Sequence, residues 1–108
     1  MADAPIIVLT QAPDAAIAAD IARKLVESRL AACVNIGAPT GSIYHWRGRI
    51  ETANEIPVAI KTRSALYAHV EAAIRDIHPY DTPEIVAIPI VDGDARYLEW
   101  IAAETATR

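Results

Sequence analysis

Few side chains in this 108-residue chain carry nucleophilic or metal-binding chemistry, and they are scattered. There is one cysteine, Cys33, and there are three histidines, His45, His69 and His78. A thiolate is a soft ligand suited to copper or zinc. Cys33 lies within Leu30-Ala31-Ala32-Cys33-Val34-Asn35-Ile36, however, and a free cysteine in such an apolar run equally packs as a small hydrophobe. His78 stands before Pro79, where an imidazole either takes a metal or serves the free carbonyls at a helix C-terminus. His45 sits beside a hairpin and His69 on the polar side of a helical pattern, and both read as surface residues. No two histidines have the i, i+4 spacing of a helical metal site. Tyr44 and Trp46 share a strand face because side chains alternate with period two; they line a cleft or anchor a packing contact. Lys61, at a strand end, and Glu84, at a strand start, offer one charge of each sign, for a ligand or for solvent.

Catalytic constellations do not form from this set. No Ser-His-Asp, Cys-His or paired-carboxylate arrangement can be assembled from the pattern, and a non-enzymatic chain is expected. A net charge of −4 with no basic run argues against nucleic acid as a partner. A lone cysteine excludes an internal disulfide, so a reducing, cytoplasmic setting is the default. The N-terminus lacks the basic start and apolar run of a leader. No apolar stretch approaches the ~20 residues that span a bilayer, so no membrane partner is expected.

The elements that must position these groups follow from periodicity. Ile6–Leu9, mostly β-branched, reads as a central strand buried on both faces. Pro13 and Asp14 open a helix whose Ile17, Ile21 and Leu25 form one apolar stripe. Leu30–Ile36 reads as a second strand, and Gly37–Gly41 interrupts it. Ser42–Trp46 is extended, Arg47-Gly48 makes a tight hairpin, and Arg49–Lys61 returns. Pro57 in that return suggests an edge or a bulge. Ser64 is placed to cap a second helix carrying Tyr67, Val70, Ile74 and Ile77, which Pro79 ends. Glu84–Ile90 is the last strand, and Asp94 caps a final helix with Tyr97, Leu98 and Ile101. The order β-α-β-β-α-β-α in a single domain over 1–108 is an α+β, ferredoxin-like split pattern with an antiparallel sheet and two helices on one face. Isoleucine and valine at both parities of several strands leave apolar surface on the other face, which an oligomer would bury.

Several segments together resemble one family over nearly the whole chain. They are Leu30-Ala31-Ala32-Cys33-Val34-Asn35-Ile36, the hairpin Ser42-Ile43-Tyr44-His45-Trp46-Arg47-Gly48, and His78-Pro79-Tyr80-Asp81-Thr82-Pro83-Glu84-Ile85. Their combination is similar to the CutA divalent-cation-tolerance family. The resemblance implies a ferredoxin-like subunit, a tight homotrimer with strands pairing across subunits, and a role in tolerance of copper and other divalent metals. It implies no required cofactor, with Cu or Zn as the metals to consider at His78 and Cys33. It also implies likeness in plan to the PII signalling trimers, whose clefts between subunits bind small ligands; Tyr44, Trp46, Lys61 and Glu84 are the matching cleft candidates. Thr10 stands where some bacterial relatives carry cysteine, and Ile77 precedes His78 where some carry a second histidine. Two other ferredoxin-like functions fail on the loop Thr10-Gln11-Ala12-Pro13-Asp14. An acylphosphatase needs Gly and Arg there to cradle an anion, and a copper chaperone needs Cys-x-x-Cys.

Overall fold

The computed structural model describes residues 2–106; Met1, at the head of the segment examined for a leader, lies outside them. Strand β1 spans Pro5–Ala12, β2 Cys33–Ile36, β3 Thr40–Trp46, β4 Arg49–Arg63 and β5 Ile85–Pro89; helix α1 spans Ala15–Glu27, α2 Tyr67–Ile77 and α3 Ala95–Glu104. The sheet runs β2-β4-β1-β5 with every pairing antiparallel, and β3 pairs with the first half of β4. The fold is α+β, with an open antiparallel sheet and three helices.

β1 is central, between β4 and β5, as its β-branched run suggests. It extends three residues beyond Leu9, because β4 keeps pairing through Ala12↔Ile56. Only one face is fully buried: Ile6, Val8, Thr10 and Ala12 alternate with half-covered neighbours. The buried face meets Ile56, Val58 and Ile60 of β4, Ala18, Ile21 and Leu25 of α1, and Val70, Ala73 and Ile74 of α2 in one core. Thirteen residues rise about 20 Å in α1, enough to cross the sheet.

The N-terminus of α1 is capped by Asp14, whose Oδ1 accepts from the Ile17 amide at 2.8 Å. Its C-terminus explains why β2 is shorter than the apolar run Leu30–Ile36. The amides of Leu30 and Ala31 both donate to the Leu25 carbonyl, at 2.9 and 3.0 Å, and Arg29 takes a left-handed φ of 59°. Helix-end carbonyls need donors, so those residues close the helix, and the ladder begins only when Ala32 donates to Lys61.

The hairpin between β3 and β4 forms where expected. Arg47 and Gly48 both have positive φ, 51° and 78°, the geometry whose twist suits a two-residue turn. Pro57, by contrast, is not on an edge strand: β4 has β1 on one side and β2 then β3 on the other. The proline lies where β2 has ended and β3 has not begun, and its carbonyl accepts from the Gly37 amide there at 2.9 Å. The missing N–H therefore faces a gap in the ladder.

Ser64 does not cap α2. It starts a 3-10 turn, Ser64–Leu66, with α2 following at Tyr67. Its hydroxyl accepts from the Ala4 amide at 3.0 Å and donates to Asp3 at 3.2 Å, while Asp3 itself accepts from the Ala65 amide at 2.9 Å. The segment just before β1 thus supplies the capping group from 62 residues away. Asp94 does cap α3, accepting from the Tyr97 amide at 2.9 Å. β5 is one residue shorter at each end than the expected Glu84–Ile90.

α3 lies against the other face of the sheet. Tyr97 reaches Cys33, whose partner across the ladder is Lys61, and Arg63 binds the buried Thr105 through Nε at 3.1 Å. Beyond α3 that face remains open. Leu9↔Val86 and Ile7↔Ile88 are register pairs on it, and Val86 and Ile88 are 48% and 45% exposed.

Candidate functional site

A broad cleft lies between the β3–β4 hairpin and the segment that leads into β5. This cleft of ≈ 780 Å³ is lined by Tyr44, Trp46, Glu55, Tyr80, Asp81 and Glu84, among others. Period-two alternation puts Ser42, Tyr44 and Trp46 on one face of β3. The hairpin register Thr40↔Glu55 then brings Glu55 to the same face. Three of the residues singled out from sequence, Tyr44, Trp46 and Glu84, therefore meet here. His45 also lines the cleft and is exposed.

The other wall is set by His78. This imidazole is only 6% exposed. Its Nε2 lies 2.6 Å from the Gln11 carbonyl, and its Nδ1 accepts from the Tyr80 amide at 3.2 Å. A carbonyl can only accept, so Nε2 is the donor to Gln11, which leaves Nδ1 as the acceptor for the Tyr80 amide. The Tyr80 ring packs edge-on against it with centroids 4.7 Å apart. His78 thus brackets β1 to the cleft wall, and a metal there would have to displace one of the two bonds. Burial, then the nearby Glu55 and Tyr44, push the Tyr80 phenol above its ordinary range.

Lys61 and Cys33 belong to a different place. They are ladder partners on the sheet face that α3 covers. Lys61 Nζ donates to Asn35 Oδ1, and the half-buried Cys33 Sγ makes a long contact of 3.9 Å with the same oxygen. Burial, then Cys33, push the Tyr97 phenol upward. His69 is exposed on α2, as its place in the helical pattern implies. Among the described residues no three His, Cys, Asp or Glu side chains converge in a way that could hold a metal ion.

Sequence reasoning missed Glu55, Asp81 and Tyr80 as cleft residues and Asn35 and Tyr97 as neighbours of Cys33. Glu55 was within reach: counting back from the two-residue turn pairs it with Thr40, on the face of Tyr44. Tyr80 and Asp81 were not, because nothing local says that the loop after α2 faces the hairpin.

The family model for the CutA1 divalent ion tolerance protein matches residues 6–104. A zebrafish (Danio rerio) relative, "Protein CutA homolog", is 45% identical over 96 residues, and the human "Protein CutA" is 42% identical over 93. These matches cover 89% and 86% of this chain but 64% and 52% of the two relatives, so the chain spans between half and two thirds of the length of those two proteins. The "Divalent-cation tolerance protein CutA" of Thermus thermophilus is 40% identical over 99 residues, which cover 96% of its length. Among solved structures, the Thermus thermophilus protein superposes with a TM-score of 0.92 at 39% identity, covering 94% of this chain and 99% of that one. A CutA from Archaeoglobus fulgidus, described as periplasmic, superposes with a TM-score of 0.92 at 40% identity over 94% of this chain and 99% of that one.

Proposed function

This chain belongs to the CutA1 divalent ion tolerance family, and from that premise we propose that it works as a non-enzymatic homotrimer in the response to copper and other divalent metal ions. The uncovered apolar sheet face carries this reading. Ile7 and Leu9 on β1 and Val86 and Ile88 on β5 form a patch that α3 leaves open, and on the other face of the hairpin strands Ile43 and Ile50 are 76% and 68% exposed. Burying such a patch gains about 25 cal/mol per Å², and a monomer would leave it wet. The strand order β2-β4-β1-β5, with α1 and α2 on one face, supports a ferredoxin-like subunit. The free outer edge of β5 supports pairing of strands across subunits. A reducing, cytoplasmic setting belongs to the same reading and rests on the lone Cys33.

Of the two metal candidates, Cys33 is the better placed, because both ring nitrogens of His78 are already engaged. One chain supplies no converging donor set around Cys33, so copper or zinc uptake there draws on donors from neighbouring subunits. A second reading, a PII-like sensor or scaffold that takes a small molecule or partner protein in its clefts, is favoured by the cleft at Tyr44, Trp46 and Glu84.

Native mass spectrometry of metal-stripped protein, alone and titrated with Cu(II) and Zn(II), tests both. A trimer that takes up ions in stoichiometric steps, and loses them in Cys33→Ala, supports the metal protein. A trimer that takes up none supports the sensor. A monomer overturns the assembly.

A further inference from the structure

The cleft has a chemical character that metal tolerance does not account for. Tyr44, Trp46 and Tyr80 present three aromatic rings, each 41–42% exposed, and Glu55, Asp81 and Glu84 present three carboxylates. The ring of Tyr80 is held in place by its edge-on contact with the buried His78. Glu55 lies in the same cleft as the Tyr80 phenol, which burial first and then that carboxylate push above its ordinary range. Trp46 already engages one organic cation, the guanidinium of this chain's own Arg47, 5.4 Å from the ring centroid. Among the described residues, neither lysine nor arginine lines the cleft.

These features discriminate between kinds of cation. A hard divalent ion needs several oxygens converging within about 2.0–2.6 Å, and the three carboxylates do not converge among the described residues. A delocalised organic cation needs no such convergence. It gains from the negative face of each ring within about 6 Å and from a diffuse field of like-signed carboxylates.

We propose that the cleft binds an organic cation, an alkylammonium or guanidinium group, against the faces of Tyr44, Trp46 and Tyr80, with Glu55 and Glu84 supplying the compensating charge. This names the ligand class for the sensing reading and rests on that reading, not on metal uptake.

The test uses the full chain carrying Trp100→Phe, so that Trp46 is the remaining tryptophan of the two. In chelator-containing buffer of constant ionic strength, its fluorescence is titrated with tetramethylammonium and with butylguanidinium. The neutral comparators are tert-butanol and butylurea. Each cation is expected to give a saturable change, and its neutral comparator to bind roughly 2- to 30-fold more weakly, the range of one cation–π contact converted to affinity. Glu55→Gln, an isosteric surface change, weakens cation binding within that range and leaves the comparators unmoved. Tyr80→Phe retains binding where Tyr80→Leu loses it, which separates ring chemistry from misfolding. Equal affinity for cation and comparator, or no saturation of the Trp46 signal, overturns the proposal. Native mass spectra of the same samples keep the two ideas apart: a trimer that binds no cation sinks this inference alone, and a monomer that binds sinks only the assembly.

Discussion

Replacing His78 by alanine separates a structural bracket from a metal ligand. The side chain is 6% exposed and makes two hydrogen bonds, to the Gln11 carbonyl at 2.6 Å and from the Tyr80 amide at 3.2 Å. Truncation strips both partners and removes the ring that packs at 4.7 Å against Tyr80. A partner left unsatisfied in a largely buried position costs about 1–3 kcal/mol. Both partners are only part-buried, and water can reach some of what is lost, so the sum falls at about 2–4 kcal/mol rather than at the upper limit. With a urea slope of about 1–2 kcal/mol per molar, the unfolding midpoint drops by about 2 M. The assay is urea unfolding of metal-stripped protein, followed by circular dichroism at one fixed protein concentration, because assembly makes apparent stability depend on concentration. His69→Ala, on the exposed side of α2, is the control and stays within about 0.5 kcal/mol of the parent. A His78→Ala protein as stable as the parent, yet impaired in copper or zinc uptake, would falsify the bracket and restore His78 as a ligand.

Further perturbations probe other parts of the fold. A Cβ on Gly37 would sit 2.8 Å from Cγ of Pro57 on an interior strand. Gly37→Ala is therefore expected to cost about 1–3 kcal/mol in thermal or urea unfolding, whereas Gly41→Ala, with nothing within 4 Å, costs little. The Ala65 amide first, then Arg63, hold the Asp3 carboxyl below its ordinary value of 3.8. Its contribution is therefore complete above that pH and is lost as pH falls through the lowered folded-state value. Asp3 is 38% exposed, so the contribution is about 1 kcal/mol or less. Asp3→Asn should flatten the acid limb of a stability–pH curve below about pH 4, and an unchanged limb would count against the tie. Burial above all pushes Tyr67, Tyr80 and Tyr97 above the ordinary 10.0, aided respectively by Glu71, by Glu55 with Tyr44, and by Cys33. A raised phenol contributes stability below its unfolded value and loses it as pH rises through the folded one. Phenolate absorbance should thus lag a free-tyrosine titration above pH 10, and Tyr67→Phe should remove part of the lag; three ordinary titrations would refute this.

Local patterns carried most of the element order. The alternation in Pro5–Ala12, the Ile17, Ile21, Leu25 stripe and the Asp14 and Asp94 caps are one-dimensional signals, each decided by neighbours within a turn or two of the chain. The Arg47-Gly48 turn was legible for the same reason, and with it the shared face of Tyr44 and Trp46. The misjudged ends all involve competition for a hydrogen bond by a distant group or by the preceding element. Leu30 and Ala31 have strand-like side chains, but their amides are used by α1. Ser64 has a capping side chain, but Ala4 and Asp3 take it. Pro57 fits an edge strand by type, yet sits inside one because the chain leaves a ladder gap beside it.

The sequence by itself determined the family, the α+β order and the identity of the few groups able to do chemistry, because side-chain type and period are properties of the chain. Tertiary structure decided which of those groups meet. It brought Tyr44, Trp46 and Glu84 together with Glu55, Tyr80 and Asp81 in one cleft, and it set Lys61 beside Cys33 farther along β4, under α3 and away from that cleft. It also turned His78 from an available ligand into a buried bracket, since the carbonyl that occupies its Nε2 belongs to Gln11, 67 residues earlier in the chain.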